Sequence, residues 1–271
     1  MTSTDFLTVV REFFPAVLVF DSVRYLLFAG LMAAIVWLVR LTAWRRFTLQ
    51  TRRPTWGDYA REFLTSSRTV IVYGVVLTVT EWAINKGWFA GHIVEPVGAL
   101  PQVTCLVALL IAHDTYFYWT HRAMHTRALY KVFHRTHHLS VAPTPFAAYA
   151  FSVPEAVVQI MFVPLWLAFI PTPNLALFLF ALIQIIRNVV LHSGVELHPR
   201  FMANNRILWS FTTTTHHDMH HSGNFKNNFG LYFSWWDRMM GTEHPEYKKR
   251  FLEIRGDAPS SLGTSMSLRS E

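Results

Sequence analysis

The chain has 271 residues and a formal net charge of +7, yet only 15% of its residues are charged, against 52% hydrophobic and 15% aromatic. Soluble proteins carry about 25% charged residues, so the composition argues against a soluble enzyme and points to a membrane protein. The positive charge comes with no nucleic-acid-binding module, and the single Cys105 excludes an intramolecular disulfide and a cysteine-based zinc or iron–sulfur site.

The N-terminal MTSTDFLTVVREFF lacks the basic flank and small-residue cleavage site of a signal peptide. Residues 1–13 read as a short amphipathic lead-in. Tyr25–Val39 is wholly apolar and predicts a first membrane helix at about 18–39, near the ~20 residues needed to span a bilayer. Asp21 and Arg24 are spaced to pair on one of its faces. Residues 40–68 hold Arg40, Arg45, Arg46, Arg52, Arg53, Arg61 and Arg68, the signature of a cytoplasmic segment. A second helix is expected at about 69–89, with Glu81 as a charge inside it. The loop KGWFAGHIVEPVG then suits the opposite side and places His92 away from the other histidines.

A third helix is predicted at about 99–126. Two further apolar runs, Val153–Ile170 and Asn174–Leu191, are separated by Pro171, Thr172 and Pro173, which read as a tight turn between antiparallel helices. Counting crossings puts 121–152 and 192–271 on the same cytoplasmic face as 40–68. Residues 257–271 are Ser-rich and expected to form a disordered tail. The expected fold is all-α: an integral membrane protein with four to five membrane helices and a cytoplasmic histidine-rich helical cap, one membrane domain over 1–256.

Twelve of the fourteen histidines fall in two stretches, His113 to His138 and His192 to His221. His121 and His125 are four apart and share a helical face. His134, His137 and His138 follow i, i+3, i+4 spacing, and His217, His220 and His221 repeat it. His192 at the end of a membrane helix is a ninth. Nine imidazoles are too many for one ion, so two metals are implied, and imidazole suits iron, zinc, copper or nickel. Asp114, nearly on the face of His121, is a candidate carboxylate to orient a ligand, with Glu155 and Glu196 as weaker ones. His113, His198 and His216 are further candidates for ligation or support. Tyr116, Phe117, Tyr118 and Trp119 fit either an interfacial belt or a lipid cavity.

The blocks DTYFYWTHRAMH, LYKVFHRTHHLSVAPTPFAAYAF and HHDMHHSGNFKNNFGLYFSWWDRMMGT, spanning about 114–242, resemble the fatty acid hydroxylase/sterol desaturase superfamily. PTPFAAYAF and HHDMHH lean toward its sterol C5-desaturase branch, and the first block is also similar to sphingoid-base hydroxylases. The resemblance implies two irons held by His121, His125, His134, His137, His138, His192, His217, His220 and His221, with zinc able to occupy the site in purified protein. Some fatty acid hydroxylases place another histidine four residues after the one matching His192. Glu196 stands there. The tenth ligand is therefore Glu196, His198 or His216, or one iron keeps an open position.

The implied activity is hydroxylation or desaturation of a lipid of sterol, fatty acyl or sphingoid type, using O2 and two electrons. No GxGxxG fingerprint is present, so the electrons come from a separate ferredoxin- or cytochrome-type donor. A basic face around Arg45, Arg46, Arg52 and Arg53, or Lys248, Lys249 and Arg250, could steer that donor. Two other readings compete. A zinc-dependent membrane hydrolase predicts a motif such as HExxH, which is absent. A metal transporter predicts ligands near mid-membrane, favoured only by His113 and Glu81.

Overall fold

A 36-residue helix, α1 (Phe6–Leu41), opens the computed structural model, which describes residues 5–93, 97–223 and 225–256. The helix exceeds the expected 18–39 and takes in most of the amphipathic lead-in. Val9 and Val17 are buried, so its N-terminal turns have a face to pack. Pro15 removes one backbone donor without ending the helix. At Thr42 the hydroxyl accepts the Trp44 amide (3.2 Å) and starts a 3-10 turn, Ala43–Phe47.

α2 (Trp56–Asn85) begins well before the apolar run that revealed it. The cause is a capping box, in which the Thr55 hydroxyl accepts the Asp58 amide and Asp58 accepts the Thr55 amide. Arg52 and Arg61 both reach Asp58 at 2.9 Å, so part of the basic segment is ordered helix. A two-residue strand, β1 (His92–Ile93), and α3 (Ala99–Met124) follow. Two short helical turns, α4 (Tyr130–Phe133) and α5 (Arg135–His138), lead to α6 (Val153–Ile160) and α7 (Phe162–Phe169).

The single helix expected at 153–170 is thus broken. Pro164 has no amide for the Ile160 carbonyl and its ring crowds that carbonyl, which interrupts the helix at Met161. The turn at 171–173 is more than a turn. β2 (Thr172–Pro173) pairs in parallel with β1, His92 opposite Thr172. α8 (Asn174–Leu191) then runs back, followed by α9 (Thr214–Ser222), α10 (Trp235–Met239) and α11 (Tyr247–Ile254). The predicted tail at 257–271 lies outside the described residues.

Among the described residues four helices, α1, α2, α3 and α8, are long and apolar enough to cross a membrane, while α6–α7 is shorter. Leu27, Leu31, Ile71, Val75, Leu100 and Phe178 stay exposed on faces suited to lipid. Connections sort to two ends. The 86–93 loop and the 170–173 turn share one. Segments 42–55 and 192–256 share the other, joined by Glu196 N to Phe47 O (2.9 Å) and Leu49 N to Gly194 O (3.0 Å). α3 and α8 both deliver their C-terminal ends there. The core centres on three tyrosines: Tyr149 stacks on Tyr25 (5.7 Å) and meets Tyr73 edge-on (5.3 Å), with Ala29, Ala148 and Ala156 packed among them.

α1 and α2 approach closely at Gly74, where a Cβ would lie 2.9 Å from Leu18 Cδ2 and 3.1 Å from Phe14 Cε2. Gly74→Val is expected to wedge the helices apart and to cost about 1–3 kcal/mol. Thermal unfolding in detergent checks this, with Gly30→Val as the control, because nothing lies within 4 Å of a Cβ at Gly30.

Candidate metal centre

The two histidine stretches meet at one end of the bundle. α3 supplies His121 and, at its C-cap, His125. His134 precedes α5, which carries His137 and His138. His192 caps the C-terminus of α8, and α9, N-capped by the Thr213 hydroxyl, carries His217, His220 and His221. Side-chain nitrogens gather in two groups. His121, His125, His134, His138 and His220 form one; His137, His192, His217 and His221 form the other, and within each group the ligand atoms all lie within 4.8 Å of one another.

The partition follows helical geometry more finely than a shared face. Residues four apart join the same group: His121 with His125, His134 with His138, His217 with His221. The residue at i+3, His137 or His220, turns toward the other group. Neighbouring histidines on one helix point about 100° apart, so α5 and α9 each serve both groups.

The donor set fits a cation in each group. His121 Nδ1 donates to the Phe229 carbonyl (2.9 Å) and His134 Nδ1 to Glu155 Oε1 (2.6 Å). Their protons are therefore committed outward, and the two bare Nε2 lone pairs face each other at 2.9 Å. Such a contact is repulsive unless a cation lies between the lone pairs. His220 Nδ1 and His192 Nδ1 are committed likewise, to Asn227 O and Asn188 O at 2.7 Å each. In the four-histidine group Nε2 pairs stand 3.0–3.2 Å apart, near the ~3 Å between two nitrogens bound side by side at ~2.1 Å to one metal. Burial first, then neighbouring imidazoles, hold His134, His137, His138, His217 and His221 well below the ordinary imidazole pKa. Burial lowers His192 to about 4.

The NNFG turn and WDR segment act as one support. Asp237 accepts the Phe229 and Gly230 amides (2.9 and 2.8 Å), which aims the Phe229 carbonyl at His121. Gly230 is required by the close approach, since a Cβ would lie 2.3 Å from the Phe233 carbonyl. Asn228 adopts a left-handed conformation (φ 63°), which Asn tolerates, and its side chain ties the His216 carbonyl to the His244 amide. Burial would raise Asp237, but donation from His216, the Phe229 amide and Thr242 outweighs it and keeps the carboxylate below its usual range.

The remaining sequence candidates stand outside both groups. Asp114 does not reach His121. It accepts the Tyr232 and Phe233 amides and the Trp235 indole, because α3 turns it toward the 231–235 loop. Glu196 binds the His198 ring (2.7 Å) and the Thr215 amide (2.7 Å), and these donors hold it ionised despite burial. His198 also meets Arg187 (3.2 Å). His216 faces Asp237 (3.4 Å) and Tyr247. His113 is packed among Phe162, Phe180 and Tyr232 deeper in the bundle. Glu155, the weaker carboxylate candidate, is the one that orients a clustered histidine. Asp237 escaped the sequence reading, because no local spacing links it to His121.

A cavity of about 460 Å³ runs between the long helices beneath these groups. Glu81, His92 and Asn174 line its far end. Phe151 and Asn188 line its near end, where the Phe151 ring lies 5.2 Å from that of His137 and the Asn188 carbonyl holds His192.

This arrangement has relatives. Residues 106–242 match the fatty acid hydroxylase family. The chain belongs to that family. Among curated members, a lathosterol oxidase of Homo sapiens is 29% identical over 147 residues, 54% of this chain and 47% of its own length. A C-4 methylsterol oxidase of Schizosaccharomyces pombe is 30% identical over 172 residues, 59% and 56% of the two lengths. A Delta(7)-sterol 5(6)-desaturase of Gibberella zeae is 31% identical over 133 residues, 49% and 36%. The match spans about half the length of these relatives. No solved structure matches the chain.

Asp237→Ala is expected to release the Phe229 carbonyl and weaken metal binding roughly 10–100-fold, measured by competition with a chelator. Acid gives a second expectation. In the metal-free protein the clustered histidines are neutral when folded, whereas unfolded imidazoles take up protons below pH ~6.5. The unfolded state then binds more protons, so stability falls as pH falls from about 6.5 toward 4. Thermal unfolding of metal-free protein at about pH 7 and pH 5 reads this, and a flat profile would contradict neutral buried clusters.

Proposed function

We propose that the chain is an integral membrane di-iron oxygenase that hydroxylates or desaturates a lipid. The observation that carries this reading is the sorting of nine imidazoles into two groups at the head of a membrane cavity. His121, His125, His134, His138 and His220 would hold one iron, and His137, His192, His217 and His221 the other. Bound iron supplies the O2-reducing chemistry that an unactivated C–H bond demands. Zinc also binds imidazole and competes for these positions.

The reaction balances in either form. Hydroxylation takes a lipid C–H, O2, two electrons and two protons to an alcohol and one water. Desaturation takes the same inputs, removes two lipid hydrogens and yields an alkene and two waters. The chain's own residues provide place and dryness. The four-histidine group has one imidazole fewer, which leaves it more room for O2. It is also the group whose His137 and His192 touch the cavity wall through Phe151 and Asn188. Tyr73, Ile160, Phe162 and Phe180 line the cavity and keep water from the lipid carbon that it presents.

Sterol oxidases and desaturases among the relatives support a substrate of sterol, fatty acyl or sphingoid type. The arginines of segment 42–55 lie at the histidine end, which favours a cytoplasmic face for the cap. A ferredoxin- or cytochrome-type donor would dock there. The test is metal analysis with Mössbauer spectra of protein from iron-replete cells, followed by a search for lipids gaining one oxygen or losing two hydrogens. About two coupled irons per chain are expected. His137→Ala and His138→Ala, one from each group, should each cut activity by at least ~100-fold. Zinc alone, persisting after anaerobic iron reconstitution, would overturn the reading.

A further inference from the structure

We propose that Asp21 anchors the hydroxyl group of a neutral lipid alcohol inside the membrane cavity. The inference deepens the lipid-oxidising reading above and rests on it for the fate of the bound lipid. Asp21 and Arg24 form a buried ion pair on α1, with Arg24 Nε to Asp21 Oδ1 at 2.7 Å and side-chain exposures of 8% and 1%. Both line the cavity. Arg24 is engaged through Nε on Asp21 and Nη1 on the Ala181 carbonyl (2.6 Å), and its guanidinium lies over Phe20 (5.4 Å) and Tyr149 (5.9 Å). The second oxygen of Asp21, Oδ2, is buried without a hydrogen-bond partner.

A charged pair within a membrane helix is costly and seldom idle, and a buried carboxylate oxygen without a donor is costlier still. His92 Nδ1 and His113 Nδ1 of the cavity wall are also buried without a partner, but an imidazole nitrogen can donate or accept, whereas Asp21 Oδ2 in its ion pair only accepts. Glu81 meets His92 at 3.2 Å at the far mouth, and Gln184 accepts the Tyr149 hydroxyl at 2.8 Å. Asp21 Oδ2 therefore selects for a donor brought by the ligand. A hydroxyl donates. A free carboxylate cannot, and would face the Asp21 charge in a low-dielectric cavity. The ion pair has no net charge, which also suits a neutral headgroup.

The position is consistent with a lipid lying along the cavity. Ala181, gripped by Arg24, precedes His192 by eleven residues of α8, ~16 Å along the helix axis. Gln184 and Asn188 line the cavity between them on α8, and Tyr73, Ile160, Phe162 and Phe180 supply aromatic and aliphatic wall. A hydroxyl at Asp21 leaves the apolar body to reach the four-histidine group.

Photoaffinity labelling tests this without metal or turnover. The full chain in phosphatidylcholine nanodiscs is irradiated with diazirine-bearing hexadecan-1-ol or the matching diazirine-bearing hexadecanoate, at equal bilayer concentration, and labelled peptides are mapped. The alcohol should label α1 and α8 at least about tenfold more than the carboxylate, the factor that a charge-assisted hydrogen bond supplies. Unlabelled hexadecan-1-ol should displace it. Asp21→Asn should collapse that preference, because the amide offers a donor to either headgroup. Asp21→Asn with Arg24→Gln should do the same with no buried charge left unpaired. Equal labelling of the wild type by both headgroups, or a preference unchanged in the folded double variant, would overturn the anchor. Because the label needs no iron, protein that prefers the alcohol yet holds only zinc after anaerobic iron reconstitution would fault the oxygenase reading alone. Iron-loaded, active protein that labels equally would fault the anchor alone.

Discussion

Nine imidazole lone pairs aimed at one another are the constraint on which the rest of the structure depends. Neutral lone pairs at about 3 Å repel, and charged imidazoles would repel more. Four of the nine rings, His121, His134, His192 and His220, are held from behind by outward Nδ1 donors, through the carbonyls of Phe229, Asn188 and Asn227 and the carboxylate of Glu155, and the other five are held by packing among them. Each such bond fixes the tautomer, orients the ring and presents the Nε2 lone pair inward.

Those acceptors must themselves be held, and buried carboxylates do it repeatedly. Asp237 gathers the amides of Phe229 and Gly230, Asp114 those of Tyr232 and Phe233, and Glu196 those of His198 and Thr215. Glu62 of α2 likewise takes the Thr144 amide and draws the segment after α5 onto the bundle. In each case a loop with no regular hydrogen-bond ladder receives one from a single side chain. Buried amides left without acceptors would each be costly, and one carboxylate satisfies two of them while they in turn stabilise its charge. This is why acidic residues near the histidines serve the loops and not, for the most part, the ligands.

The bundle and the cap are one construction. α3 and α8 place His121, His125 and His192 by ending where they do, and Asn188 both holds His192 and lines the cavity. Phe151 touches His137 on one side and the cavity on the other. The break at Pro164 and the tie between β1 and β2 lie toward the far end. The cavity is thus framed by residues that also position the histidines, and the buried Asp21–Arg24 pair lies in its wall.

The sequence by itself determined the class of the protein and singled out the nine histidines that the fold gathers. Apolar runs near 20 residues long announce membrane helices, because a bilayer demands that length, and four-residue histidine spacings announce a shared helical face. Local pattern also located the basic segments and the arginine–aspartate pair of α1. It could not set helix ends, since the capping box at Thr55 and the packing of Val9 and Val17 decide those. Nor could it divide the histidines. His134, His137 and His138 read as one face, yet the tertiary structure sends His137 to a different group, because α5 lies between two partner helices and a 100° turn per residue aims neighbours at each. Glu155 took its role when the fold brought it to His134, 21 positions away. Asp237 gained its role and Asp114 lost the one expected of it only when residues more than a hundred positions apart, His121 and Phe229 or Asp114 and Tyr232, were packed side by side. Spacing along a chain encodes faces; which partner a face meets is a property of the fold.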